Sequence, residues 1–258
     1  MDLQLQDKVA FVAGSSRGIG LAIARAFLNE GAKVVITGRS GDSLEEARSL
    51  LAEGSQDDRI LAIQGDMARR EDIARALDQT VSTFDRVDAV VANVGSGTAK
   101  GGWDLDEDDW TPVMDLNFRG SVALTSVAIP HLLKREGSSF TFISSIAATE
   151  AIGAPIPYSA AKAAIEMTMK SLSRLLGPQG LRVNAVSPGN VLFPGGSWEK
   201  KLVDRREFFE EMIQREVPLQ RFASPEEIAN VVVFLASERA SFVTGSSVVV
   251  DGGQTRSY

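Results

Sequence analysis

The sequence predicts an α/β protein in which a parallel sheet is covered by helices. Short apolar segments such as Lys8–Ala13 and Lys33–Thr37 alternate with longer segments of helical composition such as Leu21–Leu28. This alternation is typical of parallel strands joined by helical crossovers. With 258 residues, the chain is long enough to bury one large core.

The composition is that of an ordinary globular protein and excludes several kinds of site. Hydrophobic residues make up 44% of the chain and charged residues 24%. The absence of cysteine excludes disulfides and thiolate chemistry, and with His131 as the one histidine no metal site is expected. A net charge of −7 argues against nucleic-acid binding. Without a signal peptide or a membrane-spanning apolar run, no membrane partner is expected and the cytoplasm is the expected location.

A glycine-rich turn lies between the first strand and the first helix. Residues 14–20 read Gly-Ser-Ser-Arg-Gly-Ile-Gly. Glycines let the backbone approach a phosphate, and the N-terminus of the following helix supplies N–H donors and positive dipole. The turn therefore predicts a pyrophosphate site formed by Gly14, Ser16, Arg17, Gly18, Ile19 and Gly20.

The remaining strands and helices follow in chain order. Short segments rich in β-branched or apolar residues predict strands at Arg59–Gly65, Val87–Ala92, Phe140–Ile143, Leu181–Ser187 and Ser246–Val250. Helices are predicted at Leu44–Glu53, Arg70–Ser82, Trp110–Arg135, Pro157–Leu176 and Ser224–Ala236, and in the amphipathic segment before Glu216.

Two helix starts carry signals of their own. Ser224–Glu227 reads as a capping box with proline at the first helical position. The acidic run Asp104–Asp109 favours a first helical turn over a metal site, because the helix dipole attracts carboxylates there. Trp110, Met114 and Phe118 recur at every fourth position, which predicts a stripe that faces the core.

The stretch from Ser145 to Lys162 combines three groups suited to proton transfer. Ser145 follows the strand Phe140–Ile143, whereas Tyr158 and Lys162 lie one turn apart on the same face of the next helix. A nearby ammonium is expected to lower the pKa of the Tyr158 phenol, and a serine hydroxyl can stabilise an oxygen that gains charge. A tyrosine and a lysine at this spacing also occur by chance, so the pair alone does not decide the function.

The motifs and their order resemble the short-chain dehydrogenase/reductase family. The resemblance extends from about Lys8 to Gly253. Within the family, the sequence resembles the single-domain branch with a Tyr-x-x-x-Lys site and is similar to 3-oxoacyl-[acyl-carrier-protein] reductase-like members. It rests on Gly14-x-x-x-Gly18-x-Gly20, Asp66, Ala92-Asn93-Val94-Gly95, Asn117, Ser145, Tyr158-x-x-x-Lys162, Pro188-Gly189 and Asp251-Gly252-Gly253. The resemblance implies one Rossmann-type, doubly wound domain over residues 1–258, with seven parallel strands in the order 3-2-1-4-5-6-7 and helices on both faces.

The resemblance also implies four catalytic residues. Tyr158 is expected to exchange the proton, Lys162 to lower its pKa and bind the nicotinamide ribose, and Ser145 to hold the carbonyl oxygen. Asn117 is expected to hold a water that links Lys162 to solvent, although an ordinary buried amide is the alternative.

Further cofactor contacts follow from the same resemblance. Asp66 is expected to accept from the adenine amino group and Met67 to pack on the ring, while capping of the Arg70–Ser82 helix is a second role open to Asp66. The other expected contacts are Asn93, Gly95, Tyr158, Lys162, Pro188, Gly189 and Val191. The chain departs from the family pattern where Ala13, Ala92 and Phe193 replace a threonine, an asparagine and a threonine.

The end of the second strand predicts a preference for NADP(H) over NAD(H). NAD-preferring relatives carry an acidic residue there, whereas this chain has Gly38 followed by Arg39. Arg17 and Arg39 would both suit a 2′-phosphate. Solvated surface arginines are the alternative.

The segment at about 190–216 is expected to cover a small-molecule carbonyl or alcohol substrate. Phe193, Trp198, Phe209 and Met212 either line an apolar pocket, together with the turn Ala151–Pro155, or simply pack the helix down. By analogy with the family, the helices Trp110–Arg135 and Pro157–Leu176 form the contacts of a homotetramer or homodimer.

The sequence therefore predicts an NADPH-dependent oxidoreductase that interconverts a ketone or aldehyde and an alcohol. A 3-oxoacyl thioester or a bulky apolar ketone is the expected substrate. Lys134, Arg135 and Arg174 occupy places where related reductases bind an acyl-carrier protein. The alternative is a nucleotide-binding sensor or scaffold without turnover, since fold alone does not decide function.

Overall fold

The elements are given by a computed structural model, which describes residues 1–53 and 57–257. Its strands are β1 Val9–Ala13, β2 Lys33–Gly38, β3 Ile60–Gln64, β4 Ala89–Ala92, β5 Ser139–Ile143, β6 Arg182–Pro188 and β7 Ser247–Val250. Its helices are α1 Gly18–Asn29, α2 Gly41–Ala52, α3 Arg70–Phe84, α4 Glu107–Met114, α5 Gly120–Leu132, α6 Ile156–Leu176, α7 Ser197–Glu216 and α8 Pro225–Ala236.

The strands of the described residues form one parallel sheet in the order β3-β2-β1-β4-β5-β6-β7. The order reverses between β1 and β4, where Ala13 lies beside Ala92. The connections after these two strands run in opposite directions, which opens a crevice at the carboxyl edge. The predicted doubly wound sheet and its strand order are confirmed.

Each face of the sheet has its own apolar core. Phe27 and Val232, from α1 and α8, contribute to one core. Leu124 and Ile165, from α5 and α6, contribute to the other. Strand β1 is buried along its whole length because helices cover both of its faces. Within the described ranges, no helix is both long enough and apolar enough to span a membrane.

Both predicted helix starts are confirmed. A capping box between Ser224 and Glu227 begins α8. A second capping box, between Asp106 and Asp109, begins α4, and its first turn is acidic. In the part of the chain that the structure describes, no three His, Cys, Asp or Glu side chains are grouped as metal ligands.

The chain is helical from α4 through α5, with a π-helical turn at Asp115–Arg119 between them. The N–H of Gly120 bonds to the carbonyl of Asp115, so this turn holds one residue more than an α-helical turn. The buried positions of the stretch include Val113 and Asn117, whereas the predicted core stripe is only half-buried: Trp110, Met114 and Phe118. The prediction is confirmed for Phe118, which packs against the core, while Val113 and Asn117 are the more deeply buried positions.

Candidate active site

The glycine turn has the geometry of a phosphate cradle. Gly14 and Gly18 adopt φ of 67° and 56°, a left-handed conformation that favours glycine. A Cβ on Gly20 would meet the Gly14 carbonyl oxygen and would lie 2.6 Å from Asn93 Nδ2 and 2.8 Å from Ser15 Cα. Glycine at position 20 therefore lets the start of α1 approach the ends of β1 and β4.

Buried hydrogen bonds fix this turn to its neighbours. Ser15 Oγ donates to the Val12 carbonyl at 2.7 Å and accepts from the Thr37 N–H at 2.9 Å. Thr37 Oγ1 accepts from the Gly14 N–H at 3.0 Å, and Asn93 Nδ2 donates to the Gly14 carbonyl at 2.8 Å. Ser15 and Thr37 were not predicted from the sequence. Their positions, in the glycine turn and near the end of the adjacent strand, could have indicated hydroxyls that fix the turn.

The residues of the turn fit an anionic dinucleotide. The N-cap of α1 is Arg17, no side chain caps the helix, and its first turn holds no acidic residue. The N–H groups there are consequently available to phosphate oxygens. Arg39 follows β2 and is exposed, as Arg17 is. In the described residues neither guanidinium forms an ion pair.

The end of β3 supplies the adjoining part of the site. Arg39, Gln64, Asp66 and Arg75 line an open cleft of about 640 Å³, and Met67 beside it is buried. The role of Asp66 as a helix cap was wrongly predicted, because Arg69 is the N-cap of α3. The Asp66 carboxylate instead accepts from the Ala68 N–H at 3.0 Å within a tight turn.

Ser145, Tyr158 and Lys162 meet at the carboxyl edge of the sheet. Ser145 lies just beyond β5 and caps a short 3₁₀ turn, Ile146–Ala148, by accepting from the Ala147 N–H at 3.2 Å. Its hydroxyl lies close enough to the Tyr158 phenol to lower the pKa of that phenol. Lys162 Nζ lies 5.8 Å from the centroid of the Tyr158 ring. The hydroxyl of neighbouring Ser144 has no partner among the described residues, which supports the choice of Ser145.

Burial raises the pKa of the Tyr158 phenol, and the Ser145 hydroxyl acts in the opposite direction. The expected lowering of this pKa by Lys162 is therefore not found in the structure. The free energy needed to ionise a buried phenol exceeds the stabilisation of the phenolate by its polar neighbours. At neutral pH the phenol is accordingly protonated and able to donate.

Lys162 is buried, and Nζ donates to the Ile143 carbonyl at 2.8 Å. Burial lowers the pKa of Lys162 to about 8, while the negative charge of Glu166 raises it. Glu166 lies one turn further along α6 and accepts from Ser187 Oγ at 2.8 Å and from Ser247 Oγ at 2.9 Å. Sequence reasoning also missed Glu166.

Asn117 lies in the π-helical turn and is fully buried. Its Oδ1 accepts from the Ser96 N–H at 3.0 Å, and its Nδ2 donates to the Val113 carbonyl at 3.0 Å. A Cβ on Gly95 would lie 2.7 Å from Asn117 Oδ1 and 3.3 Å from Lys162 Nζ. Asn117 and Lys162 thus flank Gly95 as neighbours, whereas the water expected on Asn117 stays a prediction.

The turn after β6 is equally tight. Pro188 is the last residue of β6 and pairs with Val250. A Cβ on Gly189 would lie 2.8 Å from Asp251 Cβ. Val191, which follows, is buried and forms an isolated bridge with Ala223.

Phe193, the first of the predicted pocket residues, contacts the glycine turn. A Cβ on Gly18 would lie between 2.5 and 2.8 Å from three carbon atoms of the Phe193 ring. The ring therefore covers the glycine turn. Arg17 Nη1 would lie 3.1 Å from a Cβ on Gly195, so the same segment also contacts the N-cap of α1.

Trp198 and Phe209 pack on each other, with ring centroids 5.5 Å apart. Phe222 lies 5.4 Å from Trp198, and Lys201 Nζ lies 4.2 Å above the Trp198 ring. Helix α7 is kinked at Arg205, whose φ is −145° and ψ 53°. These contacts favour the alternative in which Trp198 and Phe209 pack the helix down. Met212 is half-buried on the same helix.

Known proteins resemble this chain over nearly its whole length. The family model for enoyl-(acyl carrier protein) reductase matches residues 13–255. Isoepoxydon dehydrogenase patN of Penicillium expansum is 35% identical, with 94% of this chain and 92% of the relative covered. The 3-oxoacyl-[acyl-carrier-protein] reductase FabG of Aquifex aeolicus is 33% identical, with 98% and 99% covered.

A solved structure shows the same architecture. The L-sorbose reductase of Gluconobacter frateurii, complexed with NADPH and L-sorbose, superposes with a TM-score of 0.92 at 33% identity and with all of both chains covered. Together with the glycine turn and the Ser145–Tyr158–Lys162 cluster, these similarities show that the chain belongs to the short-chain dehydrogenase/reductase family and is an NAD(P)-dependent oxidoreductase.

Proposed function

We propose that the enzyme reduces a ketone or aldehyde with NADPH, and that Asn117, Ser145, Tyr158 and Lys162 form its catalytic site. The observation that carries this proposal is the meeting of Ser145, Tyr158 and Lys162 beside the glycine turn. When bound, the nicotinamide supplies the hydride that the carbonyl carbon accepts. The other steps belong to side chains of this chain.

In the proposed step Tyr158 Oη gives its proton to the carbonyl oxygen, which becomes the alcohol hydroxyl. Ser145 Oγ donates a hydrogen bond to that oxygen as its negative charge develops. The ammonium of Lys162 then faces a phenolate instead of a phenol and stabilises it. The raised pKa of Tyr158 keeps the phenol in the acid form that reduction requires.

The preference for NADPH is supported by Arg17 and Arg39. Both guanidinium groups border the dinucleotide site, and each can form bidentate bonds to a phosphate. No carboxylate ends β2, since Gly38 is its last residue. A 2′-phosphate would therefore meet positive charge without opposing negative charge at this strand end.

Two substrate classes are in keeping with the site: a 3-oxoacyl thioester and a bulky apolar ketone. The similarity to a 3-oxoacyl-[acyl-carrier-protein] reductase supports the first. Lys134, Arg135 and Arg174 support it less, because α5 and α6 end at the sheet edge opposite to Tyr158.

The same proposal includes a homotetramer or homodimer. Apolar side chains are exposed on α6 and on the edge strand β7, among them Met167, Leu175 and Val249. Covering them in a second copy would remove apolar surface from water. Light scattering on the eluted protein gives the mass of the assembly. Cytoplasmic location also stays a prediction, which cell fractionation tests.

The function is tested by NADPH consumption with a panel of carbonyl compounds. The panel contains 3-oxoacyl thioesters, bulky aromatic ketones, sugars and steroids, each also offered as its alcohol with NADP⁺. We expect turnover with at least one thioester or apolar ketone, and a higher kcat/KM with NADPH than with NADH. NADPH binding without turnover in either direction would instead support a nucleotide sensor.

A further inference from the structure

The C-terminal residues of the described chain bind to the loop between the proposed catalytic residues Ser145 and Tyr158. Glu150 Oε1 accepts from the main-chain N–H of Arg256 at 2.8 Å and of Ser257 at 2.6 Å. It also accepts from Ser257 Oγ at 2.6 Å. Three donors from one segment thus converge on a single carboxylate oxygen.

Glu150 is joined to Ser145 by the turn that Ser145 caps. The Glu150 N–H donates to the Ile146 carbonyl at 3.1 Å, and the Ala148 N–H donates to the Ser145 carbonyl at 3.0 Å. Beyond Glu150 the loop is held by a bond from the Ile152 N–H to the Glu150 carbonyl, and a Cβ on the exposed Gly153 would touch nothing within 4 Å. The carboxylate of Glu150 is therefore a fixed point between the capped turn and a loosely packed one.

The same C-terminal segment holds two other parts of the substrate side. Gln254 Oε1 accepts from Asn190 Nδ2 at 2.7 Å, which ties the segment to the turn after β6. Arg256 Nη2 lies 3.6 Å from Glu216 Oε2 at the end of α7. The Leu219 N–H donates to the Gly252 carbonyl at 3.1 Å just beyond that helix.

Asp251 sets the direction in which the segment leaves β7. Its Oδ1 accepts from the Gly253 N–H at 2.8 Å and its Oδ2 from the Thr255 N–H at 2.7 Å. This turn directs the chain back across the carboxyl edge instead of into solvent. The segment is consequently bound at both ends, by Asp251 and by Glu150.

We propose that Gln254–Ser257 is a strap that positions the loop between Ser145 and Tyr158 for substrate binding, and that Glu150 is the positioning residue that receives it. The inference rests on the proposed function, because it assigns these segments to the substrate side. The strap contacts neither the glycine turn nor β2 in the bonds described above. Gln254 bonds to Asn190 between the expected cofactor contacts Gly189 and Val191, so the part of the strap beyond Gln254 is the part that acts on the carbonyl substrate and leaves NADPH affinity unchanged.

The proposal is tested with Glu150→Ala, Glu150→Gln and a chain truncated after Gln254. Glu136→Ala is the matched control, since Glu136 is exposed and precedes β5 at the opposite edge of the sheet. We expect Glu150→Ala and the truncation each to raise the substrate KM about tenfold, as for the loss of about 1.4 kcal/mol of binding free energy, with kcat and the NADPH Kd within about twofold of wild type. Glu150→Gln retains an acceptor oxygen and should restore part of the loss.

Combining Glu150→Ala with the truncation provides the sharpest readout. Both changes remove the contacts at Glu150, so the double variant should be no worse than the truncation alone. Additive increases in substrate KM, or a KM equal to that of wild type in both single variants, would contradict the proposed role of the strap.

Hydrogen exchange separates failure of the strap from failure of the proposed function. In peptides that cover residues 146–155, Glu150→Ala and the truncation should speed amide exchange, and Glu136→Ala should not. This measurement needs no substrate. Unchanged exchange would contradict the proposed strap even if the enzyme is active. Faster exchange in an enzyme that is inactive toward the whole panel would support the strap and contradict the proposed reaction.

Discussion

The glycine turn at residues 14–20 and the substrate-side segment at 190–216 border the same edge of the sheet but are held in different ways. The turn is fixed by hydrogen bonds from Ser15, Thr37 and Asn93, all close to parallel strands. The segment begins with a hydrogen bond from Asn190 to Gln254 and a bridge between Val191 and Ala223, but its helix is kinked and is held by ring contacts between Trp198, Phe209 and Phe222. Hydrogen bonds constrain both distance and direction, whereas ring pairs are favourable over centroid distances of about 4.5–7 Å.

This difference assigns different tasks to the two regions. The cofactor turn and the Ser145–Tyr158–Lys162 cluster need fixed geometry, because proton and hydride transfer depend on small displacements. Phe193 and Gly195 contact the glycine turn, whereas residues 197–216 can vary in sequence and position without disturbing these groups. We therefore expect the sheet edge to set the reaction class and the proposed substrate-covering segment to set the substrate range.

The largest effect is expected from Lys162→Met. Without the ammonium, a phenolate at Tyr158 has no charged partner, and turnover should fall by about 10²- to 10⁴-fold, as for loss of general acid catalysis. Steady-state rates with NADPH measure this loss. A kcat within twofold of wild type would remove Lys162 from the proposed site.

The same variant tests the cost of burying Lys162. Because burial lowers the pKa of Lys162 to about 8 from 10.5, the folded state resists protonation of this amine. Its charge therefore destabilises the fold by up to about 3 kcal/mol below pH 8, and the cost disappears as the pH rises through 10.5. We expect Lys162→Met to have a higher Tm than wild type at pH 7 and a smaller advantage at pH 10. A lower Tm at pH 7 would contradict this.

The next largest effect is expected from Gly20→Ala. The new Cβ would meet the Gly14 carbonyl and Asn93 Nδ2, and overpacking of this kind costs about 1–3 kcal/mol. NADPH Kd, measured by fluorescence, should rise about tenfold or more, and Tm should fall. Gly101→Ala is the control, since a Cβ there meets nothing within 4 Å. Equal behaviour of the two variants would show that the turn is not rigid.

A smaller and more selective effect is expected from Arg39→Ala. Loss of one charge-assisted contact to a 2′-phosphate should lower kcat/KM for NADPH about tenfold and leave NADH unaffected. Arg48→Ala is the matched control, because Arg48 pairs with Glu45 and Asp57 on the surface. Equal decreases in kcat/KM with NADPH and NADH would show that Arg39 does not bind the 2′-phosphate.

The smallest effect is expected where the two regions touch. The Phe193 ring covers Gly18, so dinucleotide binding requires the ring to move aside. Phe193→Thr should lower the NADPH Kd a few-fold, by about 1 kcal/mol of avoided displacement. Phe209→Ala, which alters the same segment away from the turn, should leave that Kd unchanged. Weaker NADPH binding in Phe193→Thr would mean that the ring contributes to the cofactor site.

Much of the sheet and its helix starts could be predicted from the sequence, because those signals are local. The capping box of Ser224 and Glu227 involves residues three positions apart. Apolar runs define the strands, since strands buried on both faces tolerate little else. The order of motifs then identified the family and the strand order.

The features that escaped prediction depend on contacts distant in sequence. The π-helical turn at Asn117 coincides with bonds from its side chain to Ser96, which no local pattern shows. The raised pKa of Tyr158 results from burial by the folded chain. The place of Phe193 on Gly18 and the binding of Ser257 to Glu150 join segments more than a hundred residues apart.

The central claim is that the Tyr158 hydroxyl transfers the proton, whereas NADPH affinity depends mainly on the glycine turn and the end of β2. Tyr158→Phe removes one oxygen and keeps the ring, so NADPH Kd and turnover in the same preparation test the claim directly. We expect the NADPH Kd to stay within about twofold of wild type and kcat to fall by about 10²- to 10⁴-fold. Turnover equal to that of wild type would contradict the account.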